Sequence, residues 1–476
     1  MLPLTRTKII ATLGPASSDL NNLKKLILAG VNVVRLNFSH GQAQEHIAQA
    51  HSIRQASAEL NAQVALLADL QGPKIRIGCF KQGKVTLQTD QVFILDADLA
   101  DNQGDVHQVS IDYKALPKDV CSGDILLLDD GRVALYVTHV DGNKIICRVT
   151  IGGPLSDHKG INKQGGGLSA APLTEKDQHD LKTAVALDAD YIAVSFPRCA
   201  DDMIQVRSRL HHAHSQAGLI AKIERAEAMD TLDEIIQASD AVMVARGDLG
   251  IEIGDAELPA AQKKIIQRAR ALDRAVITAT QMMESMIYQS LPTRAEVFDV
   301  ANAILDGTDA VMLSAETAIG RYPVKVIEAV NRVCQGAEKH RSTRISGHRM
   351  DCFFQRIDEA IAMATMYTAN HLNIKAIIAL TESGHTPLLM SRLRSGIPIY
   401  ALSPNLKTLR KVCLYRGIYP IEFKASHDSS IPMNEQAIAT LIEHGAVGQG
   451  DQVIITKGDL TGVQGSTNSM KILTVP

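Results

Sequence analysis

Residues 191–245 read YIAVSFPRCADDMIQVRSRLHHAHSQAGLIAKIERAEAMDTLDEIIQASDAVMVA and contain three short apolar segments, Tyr191–Phe196, Leu219–Glu224 and Ala241–Ala245. Segments of this length and composition are typical of buried strands. Between the second and the third, the apolar residues of Ala226–Ala238 recur at the three-to-four spacing of an amphipathic helix. This alternation of strands and helices indicates βα units around a parallel sheet.

The same alternation extends in both directions along the chain. It predicts five more strands, at Lys8–Leu13, Val33–Phe38, Val64–Leu70, Ala275–Thr280 and Ala310–Ser314. It also predicts three more helices, at Glu175–Leu187, Pro259–Leu272 and Val324–Gly336. Eight strands, with helical patterns between them, predict an α/β protein built on a closed (β/α)8 TIM barrel.

The segment between the third strand and the helix at Glu175 lacks helical spacing. Its apolar residues alternate with polar ones in five segments, Lys84–Gln88, Val92–Leu95, Ile125–Leu128, Val133–Val140 and Lys144–Val149. Turn dipeptides such as Asp130-Gly131 and Asp141-Gly142 separate these segments. We therefore predict a β-rich insertion at residues 74–169. The flanking pieces, 1–73 and 170–345, then hold 249 residues, which matches the roughly 250 residues of such a barrel.

A third unit follows the polar link Arg341-Ser342-Thr343-Arg344. There the strand pattern returns, at Ala376–Leu380, Ile399–Leu402, Gln452–Thr456 and Lys471–Val475. We predict a separate C-terminal α/β domain at residues 346–476.

Composition narrows the classes of function. The 476 residues are 45% hydrophobic and 21% charged, which is typical of a folded, water-soluble protein of about three domains. The net charge of −3 supplies no global positive field, so we expect no nucleic-acid partner. A few local cations inside a cleft can still attract a small anionic molecule.

The cysteines and the apolar runs indicate the compartment. The seven cysteines are scattered and never spaced CxxC, so neither a disulfide framework nor a zinc site is predicted. We see no signal peptide and no run near the 18 residues that span a bilayer. We therefore expect a cytoplasmic protein with no membrane partner.

Polar residues collect where six of the predicted strands end. They are Arg35, Asn37 and Ser39 at the end of the second strand, Asp69, Lys74 and Arg76 at the end of the third, Lys222 and Glu224 at the end of the fifth, Arg246 and Asp248 at the end of the sixth, Thr278 and Thr280 at the end of the seventh, and Ser314 and Glu316 at the end of the eighth. At any one strand this pattern can simply mark contact with solvent. Six ends together favour an active site, because barrel enzymes place theirs at the C-terminal ends of the strands.

Carboxylates and cations that share one mouth are costly to desolvate unless they are neutralised. A divalent metal with an anionic substrate would do so. Glu224 and Asp248 offer only oxygen atoms, which suit Mg²⁺ or, as a substitute, Mn²⁺. Arg35, Arg76 and Lys222 then serve a phosphate or an enolate, because guanidinium and ammonium groups bind such oxygens.

Six ordered motifs resemble the pyruvate kinase family. They are Arg35-Leu-Asn-Phe-Ser-His-Gly41, Gly72-Pro-Lys-Ile-Arg76, Lys222-Ile-Glu224, Met243-Val-Ala-Arg-Gly-Asp-Leu-Gly250, Ala279-Thr-Gln-Met-Met-Glu-Ser-Met286 and Met312-Leu-Ser-Ala-Glu-Thr317. The resemblance spans essentially the whole chain. It implies a TIM barrel with an inserted β-barrel lid and a C-terminal three-layer α/β domain, in a homotetramer. The implied reaction transfers the phosphoryl group of phosphoenolpyruvate to ADP and then protonates the enolate to pyruvate.

The resemblance also implies roles for individual residues. Glu224 and Asp248 match the Mg²⁺ ligands, and Lys222 matches the cation beside the moving phosphoryl group and the enolate oxygen. The remaining matches are the substrate-carboxylate site at the amides of Gly247 and Asp248 and the Thr280 hydroxyl, the phosphate clamp at Arg35, and the nucleotide contacts at Asn37, Ser39, His40, Arg76 and Lys159. We also expect Ser314 and Glu316 in the catalytic set, with Thr280 or Ser314 delivering the proton through water.

One motif departs from the family pattern. Many members carry Thr-Lys-Gly-Pro-Glu where this chain has Leu70-Gln-Gly-Pro-Lys74. The glutamate form accompanies a K⁺ ion at positions that match Asn37, Ser39, Asp69 and the Leu70 carbonyl. The Lys74 ammonium can replace that ion, so we expect activity without K⁺. The alternative is that Lys74 points to solvent and K⁺ still binds.

The C-terminal domain carries a loop of small polar residues between a strand and a helix. Thr381, Ser383, Gly384, His385 and Thr386 offer amides and hydroxyls of the kind that bind phosphate. In the family this loop resembles the site of a phosphorylated allosteric effector. A plain helix cap is the competing interpretation.

Two other functions are compatible with parts of the sequence. A barrel lyase or aldolase could use the same metal on pyruvate enolate, but it gives no reason for the lid or for Arg76 and Lys159. An inactive metabolite sensor would keep only the C-terminal loop, and the intact Lys222, Glu224 and Asp248 argue against it. ADP-dependent formation of pyruvate separates both from a pyruvate kinase.

Overall fold

A computed structural model describes residues 5–344, 353–426, 431–459 and 465–476. Its first segment alternates strands and helices as predicted. The elements are β1 (Lys8–Thr12), α1 (Leu20–Ala29), β2 (Val33–Asn37), α2 (Ala43–Glu59) and β3 (Ala65–Asp69). Every residue of β1 and β3 is buried, as the uniformly apolar runs indicated.

The insertion is β-rich, as expected. Its elements are β4 (Lys84–Leu87), β5 (Val92–Asp96), β6 (Gln108–Ser110), α3 (Leu116–Asp119), β7 (Ile125–Leu128), β8 (Val133–Asp141), β9 (Lys144–Ile151), β10 (Gly153–Ser156) and β11 (Ile161–Lys163). The strands divide between a six-stranded sheet and a two-stranded sheet, rather than running round one closed β-barrel. Both sheets enclose a single hydrophobic core, so together they form one lid.

The chain then returns to the barrel. The elements are α4 (Glu175–Ala186), β12 (Tyr191–Val194), α5 (Ala200–His212), β13 (Gly218–Ile223), α6 (Leu232–Ala238), β14 (Ala241–Ala245), α7 (Arg246–Ile253), α8 (Leu258–Ala271), β15 (Ala275–Ala279), α9 (Arg294–Asp306), β16 (Ala310–Leu313), α10 (Ala315–Ala318) and α11 (Pro323–Ala337). The prediction of one continuous helix at Ala226–Ala238 is wrong. A 3₁₀ turn at Glu227–Met229 comes first, and α6 begins only at Leu232. Hydrogen bonds from Ala226 to Glu252 and from Thr231 to Arg198 compete with a continuous helix there.

Eight parallel strands close the barrel in the order β1-β16-β15-β14-β13-β12-β3-β2. Because side chains alternate faces along a strand, Arg35 shares a face with Val33, and Lys222 with Ile220. Val33 and Ile220 pack in the core that includes the barrel interior. Arg35 and Lys222 therefore lie above this apolar plug, at the C-terminal mouth.

The C-terminal domain follows the predicted α/β pattern. Its elements are α12 (Ile357–His371), β17 (Ile374–Leu380), α13 (His385–Arg392), β18 (Ile399–Ser403), α14 (Leu406–Val412), β19 (Ile418–Glu422), α15 (Met433–Glu443), β20 (Gln452–Gly458) and β21 (Thr467–Thr474). The sheet order is β19-β18-β17-β20-β21, with β21 antiparallel. We did not predict β19. The expected domain boundary at 345/346 lies outside the described residues.

Among the described residues, no helix is both long enough and apolar enough to cross a membrane.

A buried ion pair joins the barrel to the C-terminal domain. Asp309, which precedes β16, accepts hydrogen bonds from both terminal nitrogens of Arg392 in α13. Both side chains are 1% exposed. Asp309 also accepts from the backbone amides of Val276 and Arg416, so one carboxylate organises four donors at the interface.

Replacing Asp309 with asparagine tests this interface. The Asp309→Asn variant leaves the Arg392 guanidinium buried without its counter-charge, and we expect a loss of about 3–5 kcal/mol in the free energy of unfolding. Urea denaturation measures it. Asp233→Asn, at an exposed pair with Arg268, is the matched control and should cost no more than about 1 kcal/mol. Equal losses in the two variants would contradict the assignment.

Candidate active site

Asp69, at the end of β3, lies between two cations at the barrel mouth. Its Oδ2 accepts a hydrogen bond from Arg35 Nε at 2.6 Å, and its Oδ1 lies 3.4 Å from Lys222 Nζ. Lys222 Nζ also lies 2.9 Å from Glu224 Oε1. Asp69 and Glu224 are each 1% exposed. The sequence therefore places two buried carboxylates and two cations in one connected chain of charges.

The charges in this chain stabilise one another. Burial alone would raise the pKa of Asp69, but Lys222 and Arg35 hold it below its ordinary value. Burial opposes the charge on Lys222, yet Asp69 and Glu224 raise the pKa of its ammonium above the usual range. Asp69 and Lys222 thus both remain charged at neutral pH.

Two residues that the sequence analysis missed complete this network. Thr12, at the end of β1, accepts from Arg35 Nη1 at 3.0 Å. Ser195, just after β12, accepts from Lys222 Nζ at 2.7 Å and donates to the Leu70 carbonyl at 2.8 Å. Both lie at the ends of strands one and four, which the sequence analysis did not inspect. Inspection of all eight strand ends would have found them.

Glu224 and Asp248 form the candidate metal centre. Glu224 Oε2 accepts from the Phe196 amide at 2.8 Å. Burial and the nearby negative charge of Asp248 raise the pKa of Glu224, although Lys222 opposes the shift. Two repelling carboxylates, with lysines as their counter-charges, fit a divalent cation, because oxygen atoms are the ligands that Mg²⁺ and Mn²⁺ prefer.

Lys74 contacts this candidate metal centre. Its Nζ lies 3.1 Å from Asp248 Oδ1, and its side chain is 27% exposed. The side chain also passes Gly160, where an added Cβ would meet Lys74 Cε at 3.2 Å. Lys74 therefore does not simply point to solvent, and its ion-pair partner is Asp248 rather than the predicted K⁺ ligand Asp69.

The loops after β14 and β15 bring Gly247 and Thr280 together. The Gly247 amide donates to Thr280 Oγ1 at 2.9 Å. Thr280 has φ +67°, an uncommon conformation for a threonine that its surroundings must hold. Arg246 Nη2 supplies such support by donating to the Thr280 carbonyl at 2.6 Å. Arg246 also pairs with Asp299 at 2.7 Å.

Ser314 and Glu316 lie beside the loop after β15. Glu316 is 3% exposed, and its two carboxylate oxygens accept from the backbone amides of Ser314 at 2.7 Å and Met283 at 3.2 Å. Glu316 therefore fixes the ends of β15 and β16 relative to each other.

The predicted nucleotide contacts lie on two elements. On the barrel, Asn37, Ser39 and His40 form a turn in which Asn37 Oδ1 accepts from the Ser39 amide at 3.2 Å. In the lid, Arg76 Nη1 donates to the His158 carbonyl at 2.9 Å. Lys159 pairs with Asp129 at 2.7 Å. Arg76 and Lys159 lie on neighbouring lid segments, because Arg76 pairs with Gly160 in a β-bridge.

The predicted effector loop opens α13. Gly384 has φ +79° and donates its amide to Thr381 Oγ1 at 3.0 Å. The hydroxyls of Thr386 and Thr467 share a hydrogen bond of 2.7 Å. Ser383 and His385 line a cavity of about 400 Å³ that Arg274, Arg356 and Lys411 also line. Asp240 lines this cavity too, so three cations and one carboxylate lie around the loop.

Three consecutive glycines, Gly165 to Gly167, join the lid to the barrel, and all have positive φ. The carboxylate of Glu227 accepts from the Gly167 amide, and the Glu252 carbonyl accepts from the Gly165 amide at 2.9 Å. Glu252 Oε2 accepts from the Ala226 amide. Burial, with the negative charge of Glu227, raises the pKa of Glu252 to about 7.

Comparison with known proteins agrees with this fold. Residues 4–327 match the family model of the pyruvate kinase barrel domain, and residues 359–473 match that of the pyruvate kinase alpha/beta domain. The chain is 56% identical to pyruvate kinase II of Salmonella typhimurium over 99% of both chains. It is 53% identical to a pyruvate kinase of Haemophilus influenzae, over 98% of this chain and 97% of that one.

A solved structure shows the same architecture. The pyruvate kinase of Cryptosporidium parvum superimposes with a TM-score of 0.91 at 33% identity and covers 99% of this chain and 96% of its own. The fold and the charged mouth of the barrel define a phosphotransferase. The chain belongs to the pyruvate kinase family, as its motifs predicted.

Titration of Glu252 makes stability depend on pH. The pKa of about 7 in the folded protein lies above the ordinary value of 4.5, so stability falls as pH rises from about 4.5 to about 7. Glu252→Gln keeps an acceptor for the Ala226 amide and removes this fall. We expect the variant to gain about 2 kcal/mol over the natural protein at pH 8, and little at pH 5.

Thermal unfolding at both pH values measures this gain. Glu234→Gln is the matched control, because Glu234 is exposed on α6. A gain for Glu252→Gln that is equal at both pH values would contradict the raised pKa.

Proposed function

We propose that the pyruvate kinase reaction, phosphoryl transfer from phosphoenolpyruvate to ADP, takes place at the chain of charges Arg35–Asp69–Lys222–Glu224. The observation that carries this proposal is the Lys222 ammonium, fixed within 3.4 Å of both buried carboxylates at the barrel mouth. Phosphoryl transfer needs positioned groups that neutralise spreading negative charge. A rigidly held ammonium and guanidinium meet that need.

Arg35 and Lys222 bind the phosphoryl group in this proposal. Arg35 is held by Asp69 and Thr12, and Lys222 by Asp69, Glu224 and Ser195. These anchors fix both cations before substrate arrives, so little reorganisation is needed at the moment of transfer. Lys222 also faces the enolate oxygen that forms when the phosphoryl group leaves.

The substrate carboxylate binds the amides of Gly247 and Asp248 and the hydroxyl of Thr280. The Gly247 nitrogen and Thr280 Oγ1 lie 2.9 Å apart, so an amide and a hydroxyl lie side by side. The substrate carboxylate replaces Thr280 Oγ1 as the acceptor of the Gly247 amide. These amides also lie in the first turn of α7, where the helix dipole favours an anion.

Glu224 and Asp248 hold Mg²⁺, and Mn²⁺ can take its place. When bound, the ion would supply positive charge that stabilises the enolate. The mutual repulsion of the two carboxylates supports a cation between them. Lys74 pairs with Asp248, so its ammonium would share that carboxylate with a bound ion or turn away from it.

The enolate must gain a proton to become pyruvate, and residues near the Thr280 loop serve this step in different ways. Thr280 and Ser314 are the candidate donors through water. Glu316 is a positioning residue, since both of its carboxylate oxygens hold backbone amides.

ADP binds between the barrel and the lid. Asn37, Ser39 and His40 contact it from the barrel, and Arg76 and Lys159 contact it from the lid. The Arg76–Gly160 bridge supports this, because it holds Arg76 and Lys159 on adjacent segments. Closure of the lid would exclude water and prevent loss of the phosphoryl group to hydrolysis.

The C-terminal domain carries the proposed regulatory site, at the loop that opens α13. A phosphorylated effector binds Thr381, Ser383, Gly384, His385 and Thr386. The cavity beside Ser383 and His385, which Arg274, Arg356 and Lys411 line, supports an anion there.

A homotetramer is supported by exposed apolar side chains on both the barrel and the C-terminal domain. They are Tyr288, Leu291, Phe298 and Ile319 on the barrel, and Phe353, Ile357 and Tyr367 on the C-terminal domain.

We also propose limits for the three domains and a location for the protein. The barrel comprises residues 1–73 and 170–345, the lid 74–169 and the regulatory domain 346–476, which the strand limits support. A cytoplasmic location is supported by the six cysteines of the described residues, all of which are free.

A coupled assay with phosphoenolpyruvate and ADP tests the catalytic assignment. Lys222→Met removes the cation that faces the transferred group, and we expect kcat to fall by about 10²–10³-fold or more. Glu224→Gln removes a metal ligand, and Mn²⁺ affinity, followed by electron paramagnetic resonance, should weaken by at least about tenfold.

The controls separate catalysis from folding. Lys339→Met, at an exposed position, should keep full activity. Natural turnover by Lys222→Met would contradict the proposal, and failure of the natural protein to form pyruvate with ADP would favour a metal-dependent lyase.

Lys74 supports activity without K⁺. Both oxygens of Asp69 already face the cations Arg35 and Lys222, and Lys74 adds a fixed positive charge beside the site. We expect kcat in a K⁺-free tetramethylammonium buffer to equal kcat at saturating K⁺. Lys74→Glu should make turnover depend on K⁺, and a strong K⁺ requirement in the natural protein would refute the proposal.

A further inference from the structure

A small cavity at the junction of the barrel and the C-terminal domain is lined by five arginines. They are Arg6 and Arg270 of the barrel and Arg392, Arg394 and Arg416 of the C-terminal domain. The cavity leaves about 20 Å³ for the centre of a water-sized particle, which is room for one water molecule or one monatomic ion. It lies beside Asp309, which precedes β16, and so at the opposite end of the barrel from Lys222.

Two of these arginines have carboxylate partners. Arg392 forms the buried pair with Asp309 described above. Arg6 lies 3.5 Å from Glu338, whose carboxylate also accepts from the Arg6 amide at 3.0 Å. Within the described part of the chain, neither carboxylate forms an ion pair with the other three guanidinium groups.

The side chains of Arg270, Arg394 and Arg416 donate only to uncharged acceptors among the described residues. Arg270 donates to the Arg392 carbonyl at 3.0 Å. Arg394 donates to the carbonyls of helix α9, and Arg416 donates to the Thr7 hydroxyl and the Thr308 carbonyl. Burial lowers the pKa of all three, although the carboxylates of Asp306, Asp309 and Glu338 partly oppose this effect. The positive charges of Arg394 and Arg392 help to lower the pKa of Arg270 to about 9.

Arg270 and Arg394 converge over Gly307, the residue that ends α9. A Cβ on Gly307 would lie 2.5 Å from Arg270 Nη1 and 3.0 Å from Arg394 Nη2. Two guanidinium groups from different domains thus meet near one point. Among the described residues no carboxylate forms an ion pair with either group, although Asp309 also lines the cavity. A guanidinium carries five N–H donors, and the described residues supply Arg270 with only one acceptor.

We propose that this cavity binds a monatomic anion of the halide class, such as chloride, between Arg270, Arg394 and Arg416. A halide fits the available volume, whereas phosphate or a carboxylate ligand is too large for it. The ion accepts hydrogen bonds from several guanidinium groups and offsets their repulsion, which a neutral water molecule does not. It therefore holds the C-terminal domain against the barrel. The site is independent of the proposed catalytic function, because none of its arginines contacts the Lys222 centre.

Bromide is the probe for a direct test. Crystals of the natural protein grown in bromide should show an anomalous-scattering peak between Arg270, Arg394 and Arg416. Arg270→Met should lose that peak. Absence of a peak in the natural protein overturns the proposal, whatever the behaviour of the variant.

Stability distinguishes a built site from incidental binding. At constant ionic strength, replacing gluconate with chloride should raise the thermal midpoint by about 1–2 °C for each tenfold rise in free halide. Arg270→Met should lose this response, and Arg332→Met, at an exposed position on α11, should keep it. Should Arg270→Met fail to fold, Arg394→Met provides the same comparison. A bromide peak without halide-specific stabilisation means an adventitious ion only and also overturns the proposal.

Discussion

The arrangement of the barrel mouth depends on the burial of Asp69 between Arg35 and Lys222. A carboxylate that is 1% exposed is tolerated only with close counter-charges. Each oxygen of Asp69 faces one of the two cations. This constraint fixes the direction of both cations, and through Lys222 it fixes Glu224. The candidate catalytic groups are therefore positioned by a structural carboxylate that need not take part in the chemistry.

The sequence predicted the barrel well because its signal is local. Apolar runs bounded by polar ends gave all eight strands of the closed sheet, and the same ends pointed to Arg35, Lys222 and Glu224. Thr12 and Ser195 were missed because hydroxyl residues carry no charge and have many structural uses. Their roles become visible only when the closed barrel brings them against Arg35 and Lys222.

Contacts between distant segments account for most of the differences between the predicted and the observed structure. The helix expected at Ala226–Ala238 is interrupted because its first residues have distant partners. Ala226 donates to Glu252 of α7, 26 positions away, and Glu227 accepts from Gly167 at the base of the lid, 60 positions away. Lys74 could be recognised as unusual from its motif. Its partner Asp248 lies 174 positions away, and no periodic pattern in the sequence reports such a pair.

The two strands whose ends carry Thr12 and Ser195 also touch the C-terminal domain at their beginnings. Lys8 of β1 donates to the Ile418 carbonyl at 2.5 Å, and Tyr191 of β12 donates to the Lys411 carbonyl at 2.6 Å. A strand of four or five residues is only about 13–17 Å long and is stiff within a closed sheet. β1 and β12 therefore form short, stiff connections between the C-terminal domain and the mouth of the barrel. The C-terminal domain therefore contacts one end of the same two strands whose other ends carry the partners of Arg35 and Lys222, so that the length of a single strand separates this domain from the mouth.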